Sequence, residues 1–236
     1  MKIENATVLV TGANRGLGLA LTRELLARGA RKVYAGARDP ATITQSGVVP
    51  LRLDITNADD VAAAAERASD VSLVINNAGI AHSGGFLAPD SEDVTRRIFE
   101  TNFFAMLRMS KAFAPILKAN GGGALLNVLS VVSWISGAMA AYAASKSAAW
   151  SLTNALRIEL SAQKTQVLAL HMGFVDTDLA RGFDAPKSSA EEIVKRALEG
   201  LESGLDEVLA DERALQVKQG LTAAKPIYLV LPHHSK

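Results

Sequence analysis

The chain has 236 residues, of which 49% are apolar and 21% charged, so it can bury a core and is not a disordered protein. Its 25 basic and 24 acidic residues give a net charge of +1, which provides no electrostatic reason to bind nucleic acid or an anionic membrane. It has no cysteine, which excludes disulfides and thiolate metal sites. The sequence also has no apolar signal core and no run of about 20 apolar residues, so we expect a cytoplasmic protein without a membrane span or a metal.

Strand-like and helix-like segments alternate along the chain. Short apolar runs predict strands at 6–10, 32–35, 48–53, 71–75, 124–128 and 166–171. Helical spacing predicts helices at 16–28, 58–68, 91–119, 143–161 and 188–202. Pro115 is expected to kink the third helix or to open its last turn. Apolar strands that are each followed by a helix predict an α/β fold, a Rossmann-type doubly wound parallel sheet with helices on both faces.

The domain organisation is predicted to be simple. The sequence contains no linker rich in Pro, Gly or Ser and no repeat of fixed period, so residues 1–236 are interpreted as one domain. Residues 222–236 form an apolar C-terminal tail in this interpretation. Its segment 227–231, between Pro226 and Pro232, could be a strand or a docking segment, and its periodicity does not decide between them.

A glycine-rich loop follows the first predicted strand. The loop reads Thr11-Gly12-Ala13-Asn14-Arg15-Gly16-Leu17-Gly18, and a helix follows it. Glycines allow backbone N–H groups to approach a phosphate, and the helix N-terminus adds a partial positive charge. The spacing G-x-x-x-G-x-G is neither the G-x-G-x-x-G dinucleotide fingerprint nor a P-loop. The alternative interpretation is a glycine-rich turn without a ligand.

With four further motifs, this loop resembles the classical short-chain dehydrogenases/reductases. The other motifs are Asn76-Asn77-Ala78-Gly79 after the fourth strand, Asn102 in the long helix, Ser130 after the fifth strand, and Tyr142-x-x-x-Lys146. The five motifs occur in the family's order, and the resemblance covers residues 6 to about 210.

The resemblance implies four catalytic residues, Asn102, Ser130, Tyr142 and Lys146. Tyr142 would transfer a proton to or from the substrate oxygen, and Ser130 would orient that oxygen. Tyr142 and Lys146 are four residues apart on one helix face, so the ammonium is expected to lower the phenol pKa. Asn102 would distort the long helix and help to hold a water that links the lysine to solvent. Ser133 and Ser136 are alternatives to Ser130 in the same loop.

The resemblance also implies a nicotinamide cofactor site. Its residues would be Gly12, Asn14, Arg15, Gly16, Leu17, Gly18, Arg38, Asp54, Ile55, Asn76, Ala78, Gly79, Tyr142, Lys146, Gly173, Val175 and Thr177. Asp54 could instead belong to a helix-initiating turn. Met172 stands where the family usually has a proline.

The second strand indicates which nicotinamide cofactor is preferred. Ala37 stands where the family has the acidic residue that binds the ribose of NAD. Arg38 follows it and Arg15 lies in the loop, so NADP(H) is expected and NAD(H) is possible. Asp39 would favour NAD(H) if the register differed by one residue, although its place before Pro40 is typical of a helix N-cap.

These features predict an NADP-dependent enzyme similar to carbonyl reductases, with a small carbonyl or alcohol as substrate. The alternative is a non-catalytic NADP(H)-binding regulatory protein on the same fold. An apolar substrate pocket is expected from Phe86, Trp134, Met139, Met172, Phe174 and Phe183. The helix after Tyr142 has an apolar surface that predicts a homodimer or homotetramer, and its residues are Ala148, Trp150, Leu152, Ala155, Leu156 and Leu160.

Overall fold

The computed structural model describes residues 1–230, which contain seven strands and seven α-helices. The strands are β1 (Thr7–Thr11), β2 (Lys32–Ala37), β3 (Val49–Arg52), β4 (Leu73–Asn76), β5 (Ala124–Val128), β6 (Gln166–His171) and β7 (Glu207–Leu209). The α-helices are α1 (Gly16–Ala27), α2 (Ala58–Arg67), α3 (Ser91–Phe99), α4 (Ala105–Ala119), α5 (Ala140–Glu159), α6 (Ala190–Glu202) and α7 (Glu212–Gly220).

The strands form one parallel sheet in the order β3-β2-β1-β4-β5-β6-β7. Val10 of β1 pairs with Ala35 of β2 on one side and with Ile75 of β4 on the other. The strand order therefore reverses between β1 and β4, and open sheets bind ligands at the carboxyl ends of the strands at such a reversal. The predicted doubly wound parallel sheet is confirmed.

Helices cover both faces of the sheet because successive strand residues point to opposite sides. Val8 and Val10 of β1 belong to one core cluster, together with Leu21 of α1 and Ile193 of α6. Leu9 belongs to a second cluster with residues of α2, α4 and α5. A strand that is buried on both faces has no polar positions to alternate with apolar ones, which explains the uninterrupted apolar runs in the sequence.

The predicted long helix at 91–119 is divided into three parts. A π-helical turn, Glu100–Phe104, separates α3 from α4. Pro115, which the sequence predicts to kink the helix or to open its last turn, lies inside α4, and α4 continues to Ala119. Pro115 lies on the exposed side of α4, where water can satisfy the carbonyl that the missing N–H leaves free.

Other boundaries differ from the prediction in the part of the chain after residue 139. The sequence predicted neither β7, which has three residues, nor the polar helix α7. Helix α5 begins at Ala140 rather than at 143, so Tyr142 lies in its first turn. The apolar tail forms a short 3-10 turn, Ile227–Leu229, and Ile227 packs against the core cluster formed by Val131, Ala214 and Val217. The remainder of the tail, residues 231–236, lies outside the described residues.

Candidate active site

A cavity of about 1000 Å³ opens at the carboxyl ends of β1, β4 and β5, beside the reversal of strand order. This volume is at the upper end of the range for small-molecule pockets, as a dinucleotide and a substrate together would need. The site residues predicted from the sequence that line it are Gly12, Asn14, Arg15, Gly16, Leu17, Gly18, Arg38, Asp54, Ile55, Ala78, Gly79, Ser130, Tyr142, Lys146, Gly173, Val175 and Thr177. Asn76 and Asn102 do not line it.

The glycine loop is held in shape by its neighbours. Gly12 and Gly16 have φ angles of +64° and +52°, which favour glycine. A Cβ at Gly18 would lie 2.1 Å from the Gly12 carbonyl oxygen, so α1 can approach the loop only with glycine there. The Asn77 amide donates to the Thr11 carbonyl oxygen at 2.8 Å, and the Thr11 hydroxyl accepts from the Asn77 N–H at 3.0 Å. Thr11 and Asn77 therefore fix the loop, a role that the sequence analysis did not assign to them.

Beside this loop, the ends of β2 and β3 form one end of the cavity. The Asp39 carboxylate caps a 3-10 turn by accepting from the Ala41 N–H at 3.0 Å, as its place before a proline predicted. The Asp54 carboxylate accepts from the N–H and the hydroxyl of Thr56, at 2.9 and 2.7 Å. The Thr56 hydroxyl, with Arg38 nearby, lowers the pKa of Asp54. Asp54 thus lies both in a helix-initiating turn and on the cavity wall.

Tyr142 and Lys146 lie buried on one face of α5. Burial raises the pKa of Tyr142 to about 12, and the neighbouring Ser130 hydroxyl acts in the opposite direction. Burial lowers the pKa of Lys146 to about 8. The Lys146 ammonium donates to the Val128 carbonyl oxygen at 2.8 Å and lies 5.7 Å from the centre of the Tyr142 ring. The pKa of Tyr142 therefore moves in the direction opposite to the expectation from the lysine, because desolvation of the phenolate is the larger effect.

Ser130 follows β5 and caps the short turn after it. Its hydroxyl oxygen accepts from the Val132 N–H at 3.3 Å and lies 3.4 Å from the Met172 carbonyl oxygen. Of the two alternative serines, Ser136 also lines the cavity, whereas Ser133 is buried away from it. Ser130 is the one whose hydroxyl acts on Tyr142.

The two asparagines outside the cavity hold the elements around it. Asn102 lies in the π-helical turn, where its Oδ1 accepts from the Ile80 N–H at 2.9 Å. Its amide N–H groups donate to the Ile80 carbonyl oxygen at 2.9 Å and to the Ser145 hydroxyl at 3.0 Å. Both side-chain N–H donors of Asn102 are thus used by protein atoms. The role in holding a water that the resemblance implies for Asn102 would therefore depend on an oxygen atom of this residue. Asn76 donates to Asn127 at 2.8 Å and links β4 to β5.

Comparison with known proteins identifies the family. A family model described as short chain dehydrogenase matches residues 6–188, well over half of the chain. The chain belongs to the short-chain dehydrogenase family. The predicted family and the predicted oxidoreductase class are confirmed.

Individual short-chain dehydrogenases are similar over most of this chain. Galactitol 2-dehydrogenase (L-tagatose-forming) of Cereibacter sphaeroides is 34% identical over 191 residues, which cover 75% of this chain and 74% of the relative. The NADPH-dependent 1-acyldihydroxyacetone phosphate reductase of Schizosaccharomyces pombe is 35% identical over 183 residues, with 73% and 60% covered. A short chain dehydrogenase of Burkholderia cenocepacia, crystallised with NADP, is 42% identical with a TM-score of 0.94, covering 98% of this chain and 100% of that one.

In this short-chain dehydrogenase, Asp211 holds the loop after β6. Its Oδ2 accepts from the Gly173 N–H at 2.7 Å, and its Oδ1 caps α7 by accepting from the Ala214 N–H at 2.7 Å. The neighbouring Met172, in the position of the family's usual proline, accepts from the Val131 N–H at 2.9 Å through its carbonyl oxygen. Asp211 was not among the residues predicted from the sequence, although an aspartate that begins a polar helix is a recognisable N-cap signal.

His171 holds the backbone of Ser130. Its side chain is fully buried at the end of β6, and its Nδ1 lies 3.0 Å from the Ser130 carbonyl oxygen. Burial lowers the pKa of His171 to about 4, so the ring is neutral at pH 7. A carbonyl can only accept, so Nδ1 carries the proton and donates it. No local pattern in the sequence indicates this contact, because it joins residues 41 positions apart.

The substrate end of the cavity is partly as predicted. Four of the six predicted residues line it, namely Met139, Met172, Phe174 and Phe183. Phe86 and Trp134 do not line it. Trp134 stacks instead on His171, with ring centres 3.9 Å apart, and Phe86 lies on the surface at 52% exposure. An aromatic residue in a loop can turn to either side of its backbone, so its place in the sequence did not decide this.

Within residues 1–230, no helix is long and apolar enough to cross a bilayer. The same part of the chain contains no cluster of three or more His, Asp or Glu side chains that could hold a metal ion.

Proposed function

We propose that this chain is an NADP(H)-dependent oxidoreductase that reduces a carbonyl compound or oxidises the corresponding alcohol. The observation that carries the proposal is the buried Tyr142–Lys146 pair, which lies beside Ser130 on the wall of the cavity that also contains the glycine loop. The names of the relatives support this reaction class, and the similar Burkholderia protein supports the choice of NADP.

The residues present fit a nicotinamide dinucleotide. The Lys146 ammonium has three N–H donors, and a single hydrogen bond, to the Val128 carbonyl oxygen, is found for it within the described chain. The other two donors are available to the ribose hydroxyls. The loop around Gly16 and the start of α1 would hold the pyrophosphate, and Arg38 would hold the 2′-phosphate.

The mechanism assigns one task to each side chain. When bound, NADPH supplies the hydride for the carbonyl carbon. Tyr142 donates its phenolic proton to the carbonyl oxygen, which forms the alcohol and leaves a phenolate that solvent reprotonates. Ser130 orients the oxygen by a hydrogen bond, and the charge of Lys146 stabilises the phenolate. With a pKa of about 12, Tyr142 carries its proton at neutral pH, as an acid for carbonyl reduction must.

The pH dependence of the reaction should follow Lys146. Its pKa of about 8 means that it is charged below pH 8 and loses its charge as the pH rises through that value. Tyr142, with a pKa of about 12, stays protonated in this range. We therefore expect kcat/KM for NADPH, which reports on free-enzyme groups, to fall above pH 8. A profile from pH 6 to 10 tests this, and Lys146→Arg should abolish the inflection. A kcat/KM that rises through pH 8 would contradict the assignment.

A homodimer or homotetramer is a second expected property. Two large apolar side chains are exposed in this part of the fold, Ile158 at 77% in α5, the helix that contains Tyr142, and Phe104 at 47% in the π-helical turn before α4. Leu156 and Leu160, which the sequence analysis counted in this surface, are buried within the chain. Light scattering should give two or four times the chain mass, and Ile158→Glu should reduce it. The control variant Leu205→Glu, at an exposed leucine outside α5, should leave the mass unchanged. A wild-type monomer would disprove the prediction.

One experiment distinguishes the enzyme from a regulatory protein on this fold. NADPH fluorescence is titrated with the chain, and NADPH oxidation is then followed with a panel of aldehydes and ketones. Turnover of at least one carbonyl compound supports the proposal, whereas tight binding without turnover of any supports the non-catalytic alternative. The cytoplasmic location stays a prediction.

A further inference from the structure

The substrate end of the cavity contains an arginine that the reaction does not use. The geometry points to Arg213 as the binding group for a carboxylate on the substrate, so that this enzyme would act on keto acids or hydroxy acids with an apolar body. This inference rests on the proposed function, because it names the substrate class of the same site.

Arg213 lies against the loop that would contact the nicotinamide. The position of a Cβ on Gly173 would be 3.1 Å from Arg213 Cβ and 3.2 Å from its Cγ, so the stem of the arginine covers this glycine. Arg213 lines the same cavity as Ser130 and Tyr142, and it is also exposed to solvent. Its neighbour Asp211 places it, since Asp211 holds both Gly173 and the first turn of α7.

The charge of Arg213 has no carboxylate partner among residues 1–230. The cavity is lined by four carboxylates, and each already has donors. Asp39 caps its turn, Asp54 accepts from Thr56, Glu100 pairs with Arg108 at 2.9 Å, and Asp178 pairs with Arg15 at 3.1 Å. No ion pair or side-chain hydrogen bond of Arg213 is found in this part of the chain. A cation that reaches a ligand cavity without a protein partner is available to an anion from solution.

Apolar side chains that line the same cavity as Arg213 indicate what the rest of the substrate is like. Phe174, the residue after Gly173, stacks on Phe183 with ring centres 5.1 Å apart, and Met139 and Ile135 also line the cavity. A guanidinium forms paired hydrogen bonds with a carboxylate, and one arginine matches its single charge. Arg97 also lines the cavity without a carboxylate partner in the described chain, but it lies on α3 and not against Gly173.

The test compares matched substrates and matched variants of the full chain. Aryl keto acids with increasing spacing between carbonyl and carboxylate are each paired with their methyl ester, and a ketone phosphate monoester is added. Arg213→Met keeps the stem over Gly173 and removes the charge, Arg213→Lys keeps the charge, and Arg96→Ala removes an exposed arginine that does not line the cavity.

We expect wild-type enzyme to prefer at least one keto acid to its ester. Arg213→Met should raise KM for that acid by about tenfold, as expected for loss of a charge-assisted contact. KM for the ester and for NADPH should not change, Arg213→Lys should restore part of the preference, and Arg96→Ala should behave as wild type.

Other results would overturn the inference. An enzyme that reduces esters and acids equally well would disprove it while leaving the proposed function intact. Loss of the preference in Arg97→Met instead of Arg213→Met would assign the anion to α3. A preference for the phosphate monoester over every keto acid would exclude the carboxylate. Absence of turnover with all carbonyl compounds would count against the proposed function itself.

Discussion

Tyr142→Phe is expected to lower kcat by about 10²- to 10⁴-fold, the usual contribution of a general acid. The variant keeps the buried ring and loses only the hydroxyl that would protonate the product oxygen. Because that hydroxyl is beside Ser130 and not in the glycine loop, the Kd for NADPH should stay within about threefold, or less than 0.7 kcal/mol. Steady-state kinetics with a reactive carbonyl substrate and a fluorescence titration measure the two quantities.

A second tyrosine provides the matched control. Tyr34 in β2 is also buried, and its hydroxyl lies 3.0 Å from the Asp70 carboxylate, away from the cavity. Tyr34→Phe removes an equivalent group and should change stability but not kcat. If Tyr142→Phe kept more than about a tenth of wild-type kcat, it would have lost less than about 1.4 kcal/mol of transition-state stabilisation. Tyr142 would then not be the acid.

The sequence predicted best those features that depend on neighbouring residues. The strands at 124–128 and 166–171 have the predicted bounds, and each is a largely apolar run that begins directly after Gly123 or Thr165. The glycine loop was recognisable because its spacing reflects a backbone requirement at Gly12, Gly16 and Gly18. By contrast, β7 has three residues and α7 is largely polar, so neither has a periodic apolar pattern of sufficient length.

The parts of the site that escaped prediction depend on contacts between distant residues. Asp211 meets Gly173 across 38 positions, and His171 meets Ser130 across 41. The same applies to the pKa of Tyr142. Sequence spacing brought Lys146 close to the phenol, but the direction of the shift follows from the burial of both groups, which only the folded chain determines.

The second large effect is expected for the cofactor. Arg38 lines the cavity at the end of β2, near enough to Asp54 to lower its pKa. NADPH differs from NADH by a 2′-phosphate, and a charge-assisted hydrogen bond to it is worth about 1.5–3 kcal/mol. Arg38→Ala should therefore lower kcat/KM for NADPH by about 10- to 100-fold and leave that for NADH almost unchanged. Parallel kinetics with the two cofactors, at a fixed carbonyl concentration, measure this.

Arg52→Ala is the control for this change. Arg52 lies on the adjacent strand β3 and also acts on Asp54, but it does not line the cavity and pairs with Asp60 at 3.5 Å. Its removal should affect both cofactors equally and weakly. The decisive opposite result is a wild-type enzyme with a higher kcat/KM for NADH than for NADPH. Asp39 would then bind the ribose, because its carboxylate would leave the Ala41 N–H and accept from the 2′-hydroxyl. In that case Asp39→Asn should lower kcat/KM for NADH, and Arg38→Ala should have no effect.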